Sequence, residues 1–289
     1  MACESWIANK AFGTQGRSSL MLNLDLCCYC LFSSRNVLVS LKRNSILSLI
    51  VFSWLTVLTT PSIVAQEEAN SRSDQDQEFF DPVKQDIEGW TVFVEPVMVG
   101  DSQTAKDQLA LKMLGNHLQR IKIVVPDSAI PKLQEIPIWI ERNHPRSETM
   151  CYHPSKAWLK SNSHDPRLAK CVHVTQAYEL FSRQQMLKHP AVILHELAHG
   201  YHDQFLGFEN AQVEAVYQKA KASGSYESVM DHRGETVRHY GLNNAKEYFA
   251  ESTEALFYRN DFYPFVQGEL KEHDPAMFEL LTELWNPKD

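Results

Sequence analysis

The pattern of apolar positions predicts short strands in the first part of the folded region. Residues 90–99 (WTVFVEPVMV) alternate β-branched and aromatic residues with others, which is typical of a strand with one buried face. Further strands are predicted at 121–125, 136–141 and 171–175. Between the last two, residues 143–169 are largely polar and contain three prolines, which predicts a surface excursion.

Helical periodicity dominates the rest of the chain. Residues 104–119 form an amphipathic pattern, with Leu109, Met113 and Leu118 on one face. Residues 228–240 are expected to form a hairpin or an irregular loop. Apolar residues with a helical period predict four more helices, at 190–205, 211–222, 244–258 and 275–285. Strands followed mostly by helices predict an α+β domain, with a small N-terminal mixed sheet and a mostly helical C-terminal part.

The N-terminal region has the pattern of an export signal. Lys42 and Arg43 precede a 13-residue apolar run at 46–58, and small residues follow as far as Ala65. The run is long enough for a secretory signal and too short for a membrane anchor. The alternative is a buried core helix at 46–58. Because the basic pair lies unusually far from Met1, we expect the true translation start at 21–41.

Three segments follow from this interpretation. Residues 1–65 are the leader and signal peptide, residues 66–80 a disordered acidic tail, and residues 81–289 the folded domain. The mature protein is therefore expected to be secreted or periplasmic, and a monomer. About 205 residues suffice to bury a hydrophobic core without disulfide bonds.

Charge and composition exclude several classes of protein. The chain has 28 Lys+Arg against 36 Asp+Glu, a net charge of −8, and it lacks a basic block. Nucleic-acid binding usually requires a cationic face, so a nucleic-acid partner is not expected. The apolar runs are shorter than a membrane span, so stable membrane insertion after signal cleavage is not expected either.

Cysteine usage agrees with export. Four of the six cysteines lie in the leader, and the mature chain keeps Cys151 and Cys171. Two cysteines in an oxidising compartment favour a disulfide bond between them. The alternative is a pair of unlinked, half-buried thiols.

The chemistry of the chain is concentrated in one motif, His195-Glu196-Leu197-Ala198-His199, within an apolar run that predicts a helix. Residues four apart return to the same helix face, so both imidazoles can bind one metal ion. Glu196 points to the side, where it can reach a metal-bound water without being a ligand. By itself the motif is only suggestive, because two histidines at the edge of a core would have the same spacing.

A catalytic zinc site needs a third protein ligand. The metzincin layout would place a histidine where Phe205 stands, so this layout is excluded. His202 lies one turn after His199 and is better explained as an exposed or outer-shell residue. The best candidates are Glu247 and Glu251, one turn apart on a second predicted helix. One of them can bind the metal while the other accepts the remaining N–H of a ligating histidine; Glu247 is favoured as the ligand.

The motif, with the later run Tyr240-Gly241-x-x-Asn244-x-x-Glu247-Tyr248-Phe249-Ala250-Glu251, resembles the catalytic domain of anthrax lethal factor and the secreted clostridial Pro-Pro endopeptidases. These are gluzincin zinc metallopeptidases with a zincin-like fold, and the resemblance covers mainly residues 190–258. It implies a Zn²⁺ cofactor and the following roles: His195, His199 and Glu247 as zinc ligands, Glu196 as general base and acid, Tyr240 as the oxyanion donor, and Glu251 as the outer-shell partner of a ligating histidine.

Tyr240 also fits the chemistry without the resemblance. Peptide hydrolysis places negative charge on the carbonyl oxygen, and a fixed phenolic O–H can donate to that oxygen. His239 is a weaker alternative donor. Three other histidines are predicted to be surface or outer-shell residues: His153, His173 and His232.

The sequence thus predicts a secreted zinc endopeptidase that acts on a peptide or protein substrate. Two other functions stay open: a non-peptidase zinc hydrolase such as a cell-wall amidase, and a non-catalytic metal-binding module. An extended peptide is expected to pair with a sheet edge at 172–175. Lys246 and the segment 143–169 could line substrate subsites, although a solvated surface explains each of them better.

Overall fold

A computed structural model describes residues 79–147 and 149–286 of the 289-residue chain. The predicted leader, the signal peptide and nearly all of the predicted acidic tail lie outside the described residues. Phe80, assigned to the tail by sequence, packs its ring 5.6 Å from that of Trp139. Within the described residues, no helix combines the length and apolar character needed to cross a membrane.

A mixed five-stranded sheet forms the first layer, in the order β1-β2-β3-β5-β4. β1 and β2 form an antiparallel hairpin whose turn contains Gly89 with φ +94°, a left-handed conformation that glycine adopts without strain. β2, β3 and β5 are parallel, and β4 is antiparallel at one edge. The strands are β1 (Val83–Ile87), β2 (Trp90–Val94), β3 (Ile138–Ile140), β4 (Cys151–Tyr152) and β5 (Val172–Val174).

α1 (Ala105–Val124) connects β2 to the parallel strand β3. It begins with a capping box, in which the Thr104 and Asp107 side chains each accept a hydrogen bond from the other's backbone N–H. The strand predicted at 121–125 is wrong, because the helix continues through these residues. Ile121 is buried one turn after Leu118, so the apolar spacing here has the period of a helix.

The segment 143–169 is not the simple surface excursion predicted from its polarity. It contains β4, the helix α3 (Lys156–Ser161) and a 3-10 turn at Pro166–Leu168. β4 covers the outer side of β5, so the prediction of a free edge at 172–175 is also wrong. β4, and not β5, is the edge strand on this side of the sheet.

The second half of the chain is mostly helical, as the periodicity predicts. A hairpin of β6 (Val229–Met230) and β7 (Thr236–Val237) forms in the segment left open between hairpin and loop. Together with the sheet, these elements confirm a mixed α+β fold. The helices are α2 (Ile130–Gln134), α4 (Arg183–Lys188), α5 (Val192–Tyr201), α6 (Ala211–Ser223), α7 (Ala245–Phe257), α8 (Gln267–His273) and α9 (Pro275–Leu284), with 3-10 turns at Pro96–Met98, Ala177–Phe181 and Tyr240–Asn243 and a π-helical turn at His202–Leu206.

α5 packs against one face of the sheet. Ile140 and Val174 share a hydrophobic core with Leu197 of α5, whereas Trp139 and Cys171 point to the opposite face, which is covered by α3. All ten residues of α5 are buried, including the polar residues His195, Glu196 and His199, so the helix lies in the interior of the domain.

Cys151 and Cys171 are not joined by a disulfide bond, so the predicted bond between them is wrong. The register of β4 and β5 explains this. Cys151 lies opposite His173, and Tyr152 lies opposite Val172. Cys151 and Cys171 are therefore diagonal neighbours, about 7 to 8 Å apart, which is beyond the usual reach of a disulfide bond.

Candidate metal centre

α5 carries both histidines of the motif on its buried side. His195 and His199 are each 2% exposed, and their Nε2 atoms lie 3.1 Å apart. Their rings are nearly perpendicular, at 83°. The helical spacing thus brings the two Nε2 atoms to one point, as the sequence predicts.

α7 brings a carboxylate to the same point. Asn244 caps this helix, and its side-chain oxygen accepts hydrogen bonds of 3.0 Å from the backbone N–H groups of Lys246 and Glu247. The cap fixes Glu247 in the first turn, where α7 packs against α5. Its Oε2 atom lies 3.4 Å from Nε2 of His195 and 3.3 Å from Nε2 of His199. These three side chains are placed to share one metal ion, and we call them the metal triad.

The three side chains of the triad are buried, and contacts with neighbouring charged groups shift the pKa values of Glu247 and His195. Burial by itself raises the pKa of Glu247, but the two imidazoles outweigh this effect and hold the pKa below its usual value. Burial likewise lowers the pKa of His195, yet contacts with Glu247 and Glu254 raise it well above the ordinary value. The buried carboxylates and the His195 imidazole thus favour each other's charged forms. Metal binding would require both imidazoles as neutral ligands.

The outer contact of His195 differs from the prediction. Its Nδ1 atom lies 2.6 Å from Oε1 of Glu254 and 3.9 Å from Oε1 of Glu251. The hydrogen-bonding partner is thus Glu254 rather than Glu251. Residues 247, 251 and 254 lie on one face of α7, at the i, i+4, i+7 spacing. Glu251 is one turn after Glu247 and Glu254 is two turns after it, and Glu254 is the residue that reaches Nδ1 of His195. This spacing is visible in the sequence and could have made Glu254 a candidate.

Glu254 also accepts a hydrogen bond of 2.9 Å from Nε2 of His189. Burial raises its pKa, but the two histidines prevail and lower the pKa to about 2. Glu251 is also buried, and burial together with neighbouring carboxylates raises its pKa well above the usual value. A charged Glu254 therefore lies next to the imidazole, while Glu251 is held towards its neutral form.

Glu196 lies beside the triad and is 5% exposed. Its Oε2 atom accepts a hydrogen bond of 2.7 Å from the backbone N–H of Tyr152 in the edge strand β4. Burial raises the pKa of Glu196. The Tyr152 hydroxyl in turn donates to Asp203, at 2.7 Å. Sequence reasoning missed Tyr152, because a backbone contact between distant elements leaves no trace in residue types.

Tyr240 begins a 3-10 turn (Tyr240–Asn243) that packs directly against α7, and its hydroxyl oxygen is shielded from solvent. Its predicted contact with a substrate oxyanion stays a prediction. The alternative donor, His239, uses its Nδ1 atom to accept the backbone N–H of Gly241 at 2.9 Å. His239 thus shapes the turn that carries Tyr240.

The remaining histidines of the prediction are distributed over three environments. His202 is fully buried, with its ring 4.7 Å from that of Phe249, so it is not an exposed residue. His153 and His173 are also buried, on the face of the sheet opposite α5. His232 follows Asp231, next to the hairpin, and is partly exposed.

No protein-family model matches the chain, and no significant match was found among curated proteins or solved structures.

Proposed function

We propose that the protein is a zinc-dependent endopeptidase. The observation that carries the proposal is the metal triad, in which the three ligand atoms lie 3.1, 3.3 and 3.4 Å from one another. Zn²⁺ binds imidazole and carboxylate at about 2.0 to 2.2 Å in tetrahedral geometry, which separates neighbouring ligand atoms by about 3.3 Å. The triad thus has the dimensions of three corners of a zinc tetrahedron.

Both the donor types and their number support zinc. Two imidazoles and one carboxylate form a three-ligand set of the catalytic type, which leaves the fourth position for water or substrate. When bound, Zn²⁺ would supply Lewis acidity and lower the pKa of a water to about 7. Glu254 supports the set from behind, because it fixes the ring of His195 with Nδ1 as the donor and Nε2 directed at the ion.

Glu196 is suited to carry the proton. It is next to His195 on α5, outside the triad, and its carboxylate is oriented by the Tyr152 N–H at 2.7 Å. In the proposed reaction, the carboxylate of Glu196 accepts a proton from the attacking water and then delivers it to the leaving amine. Burial raises the pKa of this group, so it can hold the proton between the two steps.

Tyr240 completes the proposed machinery as the donor to the developing oxyanion. Its position immediately before α7 ties the phenol to the helix that holds Glu247. A phenolic O–H fixed in this manner would lower the barrier only as the carbonyl oxygen gains charge.

The edge strand β4 is the proposed place for the peptide. β5 occupies one side of β4, and on the other side the backbone N–H of Tyr152 donates to Glu196. An extended peptide added to this side would form backbone hydrogen bonds with groups other than this N–H, and would present a carbonyl group to the triad. We therefore propose a zincin-like domain, in which an antiparallel edge strand lies along the active-site helix. The predicted export signal supports action outside the cell.

Metal analysis combined with a broad peptide cleavage profile tests this function. The wild-type chain should contain Zn²⁺ and cleave peptides, whereas Glu196→Ala should keep the metal and lose cleavage. Glu214→Gln, at an exposed position of α6, is the matched control and should retain both properties. Unchanged cleavage by Glu196→Ala would contradict the assignment of the base. Hydrolysis of cell-wall muropeptides without cleavage of other peptides would instead support an amidase, and bound metal without hydrolysis a binding module.

A further inference from the structure

A second group of metal-binding side chains lies on the opposite face of the sheet. His173 of β5 is flanked by Trp139 of β3 and Cys151 of β4, on the face that does not contact α5. The loops on either side bring further imidazoles over this row. We call this group the histidine cluster; it consists of Glu141, His144, His153, His164 and His173.

His173 lies at the centre of the histidine cluster and is 1% exposed. Its Nε2 atom lies 3.1 Å from Oε1 of Glu141, and its Nδ1 atom lies 3.1 Å from Nε2 of His153. The ring centroid of His144 lies 5.2 Å from that of His173, in an edge-on arrangement. The ring of His144 also stacks on that of His164, with the centroids 5.6 Å apart. Four imidazoles therefore lie close together, and two of them, those of His144 and His173, lie near the buried carboxylate of Glu141.

The charge of that carboxylate has little compensation. Glu141 is 7% exposed, and its Oε1 atom accepts a hydrogen bond of 3.1 Å from the indole of Trp139. Among the described residues, its short contact is with the imidazole of His173, at 3.1 Å, and not with a lysine or an arginine. A carboxylate held in a buried site without a lysine or an arginine beside it is a setting in which a bound cation would be stabilising.

We propose that Glu141, His144 and His173 bind a second divalent transition-metal ion, of the zinc type, with a structural role. One ligand atom from each of these residues lies within 4.8 Å of the other two. Two imidazoles and one carboxylate are donors that suit Zn²⁺ and its neighbours in the first transition row. Cys151 is the nearby soft donor, but its sulfur lies 3.6 Å from His153 Nε2, away from this set of atoms.

Two of the three proposed ligands, Glu141 and His173, are already oriented for coordination. If His173 donates its Nδ1–H to Nε2 of His153, its Nε2 lone pair faces the carboxylate of Glu141, and the two can bind one ion. His153 then acts as the outer partner of His173, in the same manner as Glu254 behind His195.

His144 is the ligand that has to adjust. Its Nδ1 atom accepts the backbone N–H groups of Arg146 and Ser147, at 3.2 and 3.0 Å. Its neutral ring therefore carries the proton on Nε2. Coordination through either nitrogen ends the two backbone contacts: Nδ1 would give its lone pair to the ion, and coordination through Nε2 would move the proton to Nδ1. Metal binding is thus expected to expose the amides of Arg146 and Ser147 to faster hydrogen exchange.

The proposed ion would connect the end of β3, the loop after it, and β5. β4 pairs with β5 and supplies the Tyr152 N–H that orients Glu196. The ion would therefore stabilise the edge of the sheet, without touching the reacting atoms. This inference does not depend on the proposed peptidase activity.

Zn²⁺ binding to a chain without the metal triad isolates the second site. In the full-length His195→Gln/His199→Gln variant, the two other groups of potential ligands found among the described residues are lost, because each contains His195. After demetallation, equilibrium dialysis against micromolar free Zn²⁺ should give one ion per chain, and two for the wild type. Adding Glu141→Gln or His144→Gln should abolish binding by the double variant. His273→Gln, a histidine outside both groups, is the matched control and should leave one ion bound.

The result that overturns the proposal is a double variant that binds no ion, or one whose ion survives both Glu141→Gln and His144→Gln. Circular dichroism of each variant establishes that it is folded, and His144→Gln lies in a loop, where a loss of fold is least expected. X-ray absorption of the bound Zn²⁺ should detect nitrogen and oxygen only. A sulfur neighbour would assign Cys151 to the site and overturn the proposed ligand set.

Discussion

The hydrogen bond between His195 and Glu254 allows a quantitative test of the metal centre. Oε1 of Glu254 lies 2.6 Å from Nδ1 of His195 and 2.9 Å from Nε2 of His189, and the side chain is fully buried. Glu254→Gln keeps an acceptor oxygen but removes the negative charge that makes the imidazole a better ligand. Glu254→Ala removes both the oxygen and the charge.

Outer-shell partners of this kind contribute about 10- to 100-fold in metal affinity. We therefore expect Glu254→Gln to weaken Zn²⁺ binding about 10-fold and Glu254→Ala about 100-fold. These factors correspond to about 1.4 and about 2.7 kcal/mol of binding free energy. The affinity can be measured by competition with a chromophoric chelator at constant pH.

Glu251→Gln is the matched control for this prediction. Its Oε1 atom lies 3.9 Å from Nδ1 of His195, too far for a hydrogen bond, so we expect a change in Zn²⁺ affinity of less than about threefold. If Glu251→Gln weakens binding as much as Glu254→Gln does, the assignment of the outer-shell partner from the structure is wrong. Thermal unfolding of the metal-free variants separates a lost contact from a lost fold.

Three further predictions concern packing, proton uptake and catalysis. Gly200→Ala should destabilise the chain by about 1 to 3 kcal/mol in urea unfolding, because a Cβ atom there would lie 2.9 Å from Ile136; Gly268→Ala, with open space around it, should not. His202→Phe should reduce the loss of stability between pH 7 and pH 5 by about 1 to 2 kcal/mol. Burial lowers the pKa of His202 to about 3, so near pH 6 the unfolded chain binds a proton that the folded chain excludes, and acid favours unfolding. Tyr240→Phe should lower kcat about 100-fold with Zn²⁺ retained; an unchanged kcat would remove Tyr240 from the proposed mechanism.

Local periodicity was sufficient to predict a large part of the fold. The two helices that carry the metal triad begin within two residues of their predicted starts, since α5 starts at Val192 and α7 at Ala245. α5 ends at Tyr201, four residues before its predicted end, where the π-helical turn follows. Strand predictions located β2 and β3 but made both too long: β2 covers the first half of 90–99, where a 3-10 turn at Pro96–Met98 follows it, and β3 covers the middle of 136–141. They failed at 121–125, because a short apolar run has the same composition at the end of a helix as in a strand.

The segment 143–169 shows the limit of polarity as a guide. Its prolines and polar residues predicted a surface excursion, yet Tyr152 and Leu159 are fully buried. β4 has only two residues, and nothing in so short a run indicates that it pairs with a distant strand. The wrong disulfide prediction has the same cause, because only the pairing register shows that Cys151 lies opposite His173 and not opposite Cys171.

By itself, the sequence determined which residues share a helix face. The four-residue spacing of His195 and His199 requires that both imidazoles point the same way, and the cap at Asn244 starts the helix that carries Glu247. Only the tertiary structure decided which residues of one helix contact the other. These contacts depend on the distance and the crossing angle between the two helix axes, which the residue spacing within a single helix does not specify. That geometry made Glu254 rather than Glu251 the partner of His195. The same holds for the histidine cluster, whose members come from separate strands and loops and meet only when the sheet has formed.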